Sequence, residues 1–350
     1  MTSDAAQAVP SDAFSQPGAE SSLSEVERLV LDLYGIVGAA KRLSSERDET
    51  FRFSAQDGLQ YTLKIAHPAE DGVALQFQDD ILRHLERVAP DLPVPRIIGP
   101  LQGGTNVPID GSAARTRIVR LLTYLDGEQQ YRTPASASQC RNIGRVLAEL
   151  GLGLRTFNGP TPQRRLLWDI SHTMDLKPLS GAVGSARRSI VSGVLDDFEH
   201  RAADRIGSLR RQVVHNDFNP HNVLVDPSSP DRVVGIIDFG DMVVAPLINE
   251  LAVALAYHVS EPGWEQRASS LVEGYIDFVP LAVTERALLP VLIKARLAMT
   301  LIITEWRAAK NPDNSEYILR NHPSAWQGLS RLAHMSDADL RAVLFPHGEG

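Results

Sequence analysis

The sequence predicts an α+β protein in two unequal parts, a small β-rich lobe with one main helix and a larger, mostly helical lobe. Three observations carry this. Up to Leu125, short β-branched and aromatic runs alternate with turn signals. Beyond Gly127 the apolar residues recur at helical spacing. The helical part is interrupted between Arg211 and Asp241 by three short apolar runs separated by Pro, Ser, Asp and Gly. The boundaries that follow are a tail over 1–22, a first lobe over 23–125 and a second over 126–350.

Residues 1–22 are rich in Ala, Ser, Pro, Gln and Asp, a composition expected to be disordered. Val26, Leu29, Val30 and Leu33 then recur at helical spacing and predict a helix over 23–34 with Ser24 as N-cap. Strands follow at 39–43, 50–53 and 59–66, with Asp57-Gly58 as a turn and Lys64 near the end of the third. Leu75, Ile81, Leu82 and Leu85 mark the buried face of a helix over 73–88. Pro93 and Pro95 break the chain, and 117–125 reads as an apolar strand. Helices are then expected over 135–157, 185–206, 248–257, 271–278 and 284–306.

The stretch RQVVHNDFNPHNVLVDPSSPDRVVGIIDFGD, 211–241, organises the second part. Val223–Val225 and Val233–Ile237, joined by a turn of Asp, Ser and Pro, predict a hairpin. Asp217, Asn222 and Asp238 therefore fall at strand ends. Phosphoryl transfer needs such a set, with one carboxylate to orient a hydroxyl and an Asn plus an Asp to hold magnesium. His215, Asp217 and Asn222 fit H-x-D-x-x-x-x-N of a kinase catalytic loop, and Asp238-Phe239-Gly240 fits the metal-binding D-F-G. The order of the two pieces, with a hairpin between, makes the signal specific.

Composition bounds the alternatives. Hydrophobic residues make up 43% and charged residues 22% of 350, an ordinary globular balance. A net charge of -8 argues against nucleic acid as the main partner. The single cysteine, Cys140, excludes an internal disulfide framework and suits a reducing cytoplasm. There is no uninterrupted run of about 18 apolar residues and no basic-then-apolar start, so neither a membrane span nor a signal segment is expected.

With these pieces in order, the chain resembles the aminoglycoside phosphotransferase-like family of small-molecule kinases, and within it the hydroxylysine kinase branch. LSSERDETFRF, YTLKIAHP, VRLLTYLDG, LLWDI, HNDFNPHNVLV, IIDFGDM and NELAVAL carry the likeness, from about Leu29 to His258. The resemblance implies a two-lobed protein-kinase-like fold, with ATP or GTP as donor and Mg2+ as cofactor. It puts Asp217 at the catalytic-base position, Asn222 and Asp238 at the metal positions, and Lys64 at the phosphate-binding lysine. Ser44 and Ser45, in a 43–49 loop without glycine, would face the phosphates. Leu121 and Thr123 would lie in the hinge that receives the base. Gln78 stands where many relatives have the Glu that pairs with the lysine, so a hydrogen bond to Lys64 would replace an ion pair. Asp241, Trp168 and Asp169 are candidate substrate contacts, with core plus helix cap as the plainer role for the last two. The acceptor implied is a hydroxylated amino acid or amino alcohol such as 5-hydroxylysine, ahead of an aminoglycoside, homoserine or a choline-like alcohol.

Two other classes stand beside this. A nucleotide-binding pseudokinase would lack one of the three acceptor residues, and all are present. A metallohydrolase would use His215 and His221, for which no further ligand set is evident. His215 reads instead as a buried brace of the loop, and Glu250 as a partner of loop backbone. Lys294 and Arg296 stand out in the apolar stripe of 288–303, where one of them is a candidate for a substrate carboxylate.

Overall fold

The computed structural model describes residues 21–45, 48–110 and 116–348. Two compact units emerge, one from Met1–Arg83 with Pro95–Tyr124 and one from His84–Val94 with Leu125–Gly350. The tail expected over 1–22 lies outside the described residues up to 20.

In the first unit, α1 (Leu23–Tyr34) starts from Ser22, not Ser24. The Ser22 side chain accepts from Glu25 N–H while Glu25 reaches back to Ser22 N–H, a reciprocal cap that fixes the start two residues earlier. Strands β1 (Gly38–Leu43), β2 (Glu49–Ala55) and β3 (Gln60–Ile65) form a meander. After α2 (Gly72–Val88) come β4 (Ile97–Ile98), β5 (Val107–Asp110) and β6 (Thr116–Thr123). The six strands form one antiparallel sheet in the order β1-β2-β3-β6-β4, with β5 also on β6. Alternation in β2 and β3 puts Phe51, Phe53, Leu63 and Ile65 on one face, where they bury completely against Val26 and Val30 of α1. Each such side chain contributes about 1.5–3 kcal/mol of burial. From His84 onward α2 belongs with the second unit, where Leu85 is fully buried and His84 Nε2 lies 3.1 Å from Gly153 O.

The second unit begins with β7 (Glu128–Gln129) and α3 (Ala137–Leu154), the latter capped by Ser136. A 3-10 segment over Ile170–Ala182, α4 (Ser185–Arg201) and α5 (Ala203–Ile206) lead to β8 (Arg211–Val214). The predicted hairpin forms as β9 (Val223–Asp226) and β10 (Ser229–Ile236), and β7 joins it. By contrast, β8 pairs with β11 (Val243–Pro246) beyond the D-F-G stretch. Helices α6 (Ile248–Ala256), α7 (Trp264–Ile276), α8 (Val283–Lys310), α9 (Ser315–Ile318), α10 (His322–Leu332) and α11 (Asp337–Leu344) complete it.

The sequence misplaced α7, which begins seven residues before 271. Its first turns are more polar, and only Trp264 and Ala268 bury there. Helix α8 is also longer than expected. An 18-residue window of it has mean hydropathy 1.8 with at most two charged side chains, enough to cross a membrane by length and composition. Lys294 and Arg296 interrupt the run, so a search for consecutive apolar residues passes over it. The window is 89% buried inside the protein, as a core helix is.

Candidate active site

The site in the second unit grows from the end of β8. After Val214 the chain enters His215, fully buried, and then Asn216 in the left-handed region at φ 65°. Asp238 takes the same conformation at φ 63°. Among the described residues these are the two non-glycine residues with positive φ, a conformation Asn and Asp tolerate at modest cost. Asn216 directly precedes Asp217, and Asp238 is itself one of the predicted site residues.

Partners fix the state of His215. Its Nε2 is 3.1 Å from Ile237 O, which only accepts, so Nε2 carries the proton. Nδ1 is then the acceptor for Asp217 N–H at 3.3 Å. Burial pushes the imidazole down to about 4, which keeps it neutral. Its ring packs on Phe239 at 5.0 Å and Phe218 at 6.0 Å. It braces the loop, as its sequence context suggested. Glu250, in the first turn of α6, accepts Asn216 N–H at 2.6 Å.

The carboxylate of Asp217 is gripped on both oxygens. Asn222 Nδ2 donates to Oδ2 at 2.8 Å and to the Asp217 carbonyl at 2.9 Å. Arg296 Nη2 donates to Oδ1 at 3.3 Å. Burial and the nearby carboxylates of Asp241 and Asp238 push Asp217 up to about 7, against the pull of Arg296. The side chain keeps 24% exposure, so it remains reachable. Such a carboxyl is poised as a proton acceptor near neutral pH.

Both amide hydrogens of Asn222 go to Asp217, which leaves Oδ1 as its acceptor on offer. Asp238 caps the short turn Phe239–Asp241, accepting from Gly240 N–H at 3.4 Å. Asn222 Oδ1 and the Asp238 carboxylate are hard oxygen donors of the kind magnesium takes. No cluster of three or more His, Cys, Asp or Glu side chains suited to a metal ion occurs among the described residues. His221 instead lies 3.1 Å from Asn321 Oδ1 and packs on Tyr131.

The remaining predicted residues fall as follows. Trp168 gives its carbonyl to Arg296 Nη1 at 2.6 Å and its ring lies 4.9 Å from the guanidinium. Asp169 is 1% exposed, caps the 3-10 segment through Ser171 N–H and receives Asn249 Nδ2, so its carboxylate serves the fold. In the first unit, Lys64 on β3 lies directly across from Arg120 on β6. Gln78 Oε1 accepts from Arg120 Nη1 at 3.0 Å, and the same nitrogen reaches Asp79 Oδ1 at 3.1 Å. Gln78, expected to pair with Lys64, thus receives Arg120, the cross-strand neighbour of Lys64. An Arg with a buried Asp in reach is the stronger partner. Leu121 is fully buried in mid-sheet. Thr123 donates its N–H to Arg96 O and accepts Arg96 N–H on Oγ1, so that amide is spent on the fold. Ser44 and Ser45 are exposed beyond the end of β1, and positions 46 and 47 of the same loop lie outside the described residues.

Sequence reasoning flagged Arg296 as odd but did not bring it to Asp217. Its signal was a lone guanidinium in an apolar helical stripe. Lys294, the other oddity, binds Met335 O and Asp337 at 3.0 Å each and faces away from this cluster.

Comparison with known proteins accords with this geometry. The chain is 27% identical to hydroxylysine kinase of Mus musculus, across 95% of both chains. The fold matches the microcompartment-associated aminopropanol kinase at TM-score 0.71 and 18% identity, covering 88% of this chain and 97% of that one. It also matches an amicoumacin kinase solved in complex with AMP-PNP, Ca2+ and Ami, at TM-score 0.64 and 15% identity, covering 86% and 91%. The profile described as the phosphotransferase enzyme family (APH) matches residues 39–287. This chain is therefore a member of the phosphotransferase enzyme family, with a kinase-like fold.

Proposed function

We propose that the protein transfers the γ-phosphate of a nucleoside triphosphate to the hydroxyl of a hydroxylated amino acid or amino alcohol, with 5-hydroxylysine as the first candidate. The observation that carries the chemistry is the Asp217 carboxylate, held on both oxygens by Asn222 and Arg296 and shifted toward neutrality. Likeness to hydroxylysine kinase along nearly the whole chain supports the acceptor class.

In this reading Asp217 orients the acceptor hydroxyl and takes its proton as the oxygen attacks phosphorus. Asn222 Oδ1 and Asp238 hold magnesium, which when bound neutralises charge on the donor phosphates. Lys64 is assigned to the phosphates, and Ser44 and Ser45 to the same group. The protein's share of the work is positioning and fixed charge. A cytoplasmic setting accords with Cys140, the chain's one cysteine, standing as a buried free thiol.

The test is phosphate transfer from ATP and from GTP, with magnesium, to 5-hydroxylysine, homoserine, ethanolamine, choline and kanamycin. Turnover of 5-hydroxylysine well above the others is expected. Preferential turnover of kanamycin or choline would overturn the acceptor class, and nucleotide binding with no transfer to any would return the pseudokinase reading.

A further inference from the structure

Nothing in the chemistry above requires a buried cation in the centre of α8, yet Arg296 is 1% exposed there. Burying a guanidinium is costly unless every contact is made, and apolar neighbours on either side offer cheaper ways to fill the space. Its two terminal nitrogens each find an oxygen, while Nε makes no hydrogen bond. Nη1 is tied to the Trp168 carbonyl at 2.6 Å, and the Trp168 ring lies 4.9 Å from the guanidinium carbon. The Tyr257 side chain lies against the same group. With one edge anchored so, the planar fork presents Nη2 to Asp217 Oδ1 at 3.3 Å.

We infer that Arg296 is the positioning residue of the catalytic aspartate, holding the Asp217 carboxylate plane from the α8 side while Asn222 holds it from the loop. This rests on Asp217 being the base. Asn222 grips Oδ2 and the Asp217 carbonyl, and so fixes the residue to its own loop. Arg296 fixes it to the helical core. One anchor alone leaves the carboxylate free to turn about its Cβ–Cγ bond. Two anchors stop that rotation and leave each oxygen a further lone pair. The acceptor proton then meets an oxygen already aimed, as the new O–P bond forms and the bond to the departing nucleoside diphosphate breaks. Arg296 spends Nη1 on the Trp168 carbonyl and Nη2 on Asp217 Oδ1, while its buried Nε makes no hydrogen bond.

The experiment compares wild type, Asp217→Asn, Arg296→Met, Arg296→Lys and Arg296→Ala, with ATP, magnesium and the panel acceptor that wild type turns over. Binding of magnesium–AMP-PNP is measured on the same samples. Arg296→Met is expected to lower kcat about 100-fold, the cost of a misplaced reacting group. The KM for ATP and the AMP-PNP affinity should stay within about 2-fold, because no ground-state contact is lost. Arg296→Lys keeps the charge and stem but not the fork, and shows the same split where the Met variant does not fold. Arg296→Ala should regain activity with added guanidinium ion, while wild type does not respond. A folded Arg296→Met with kcat within about 3-fold of wild type overturns the inference. So does a loss of turnover matched by lost nucleotide affinity and unmoved by guanidinium. If Asp217→Asn keeps turnover, the base assignment fails and Arg296 with it. An inactive Asp217→Asn beside an active Arg296→Met defeats only the role of Arg296.

Discussion

Asn216 donates its N–H to Glu250 from a left-handed conformation, and the loop that carries Asp217 is tied at that point to the first turn of α6. Two buried titratable groups meet here with opposite pH signatures. Burial pushes Glu250 up to about 7 from 4.5, against the N–H groups of Asn216 and His215 and the charge of Arg296. The native state thus keeps a proton that the unfolded chain has released. Glu250 costs nothing below about pH 4.5, and its cost grows as pH rises toward 7. His215 acts the other way. The unfolded imidazole takes a proton near 6.5 that the native one refuses until about 4, so stability is lost as pH falls through that window. Glu250→Gln keeps the acceptor oxygen and removes one titration. It should gain relative stability between pH 4.5 and 7, by up to about 3 kcal/mol. Thermal unfolding of both proteins at the two pH values checks this, and an equal difference at both would contradict it.

Helices α3 and α7 approach so closely that two glycines are obligatory. A Cβ on Gly144 would sit 2.0 Å from Leu271 O, and one on Gly274 would sit 2.0 Å from Arg141 O. Neither neighbour is a flexible tip. Gly144→Ala or Gly274→Ala should cost about 3 kcal/mol as the helices are forced apart, read as a fall in Tm. A loss below about 0.5 kcal/mol would show that the helices slide freely. In the first unit, Arg120 ties α2 to β6 through Gln78 and the fully buried Asp79. Arg120→Met strands a buried carboxylate and should destabilise by about 3–5 kcal/mol. Adding Asp79→Leu should recover much of that, because a pair of apolar residues leaves no charge behind. If the double variant is worse than the single one, the pair is not what holds the helix. These contacts were hidden in the sequence for one reason. A glycine in a helix and an acid beside a Gln signal nothing until the partner helix or strand is in place.

At the scale of the molecule, what the sequence disclosed was local. His215, Asp217, Asn222 and Asp238 lie on one short stretch, and their placement follows from turn and strand-end chemistry that neighbouring residues impose. The alternating faces of β2 and β3, and the hairpin of β9 and β10, follow from the same short-range rules. The remainder depended on distant pairing. Arg296 stands 79 residues from Asp217 in the chain, and β8 pairs across the hairpin with β11. Helical periodicity marked Arg296 only as a misfit, and no spacing rule joins it to the loop. Gln78 was aimed at Lys64 by resemblance, and the sheet register supplied Arg120 beside it. In the proposed reaction Asp217 acts on the acceptor and not on the nucleotide. The most direct measurement is single-turnover phosphate transfer by wild type and Asp217→Asn, with magnesium–AMP-PNP affinity determined alongside. Asn at this position should slow transfer by about 1000-fold while affinity holds within about 2-fold. Transfer by Asp217→Asn within about 10-fold of wild type would contradict it.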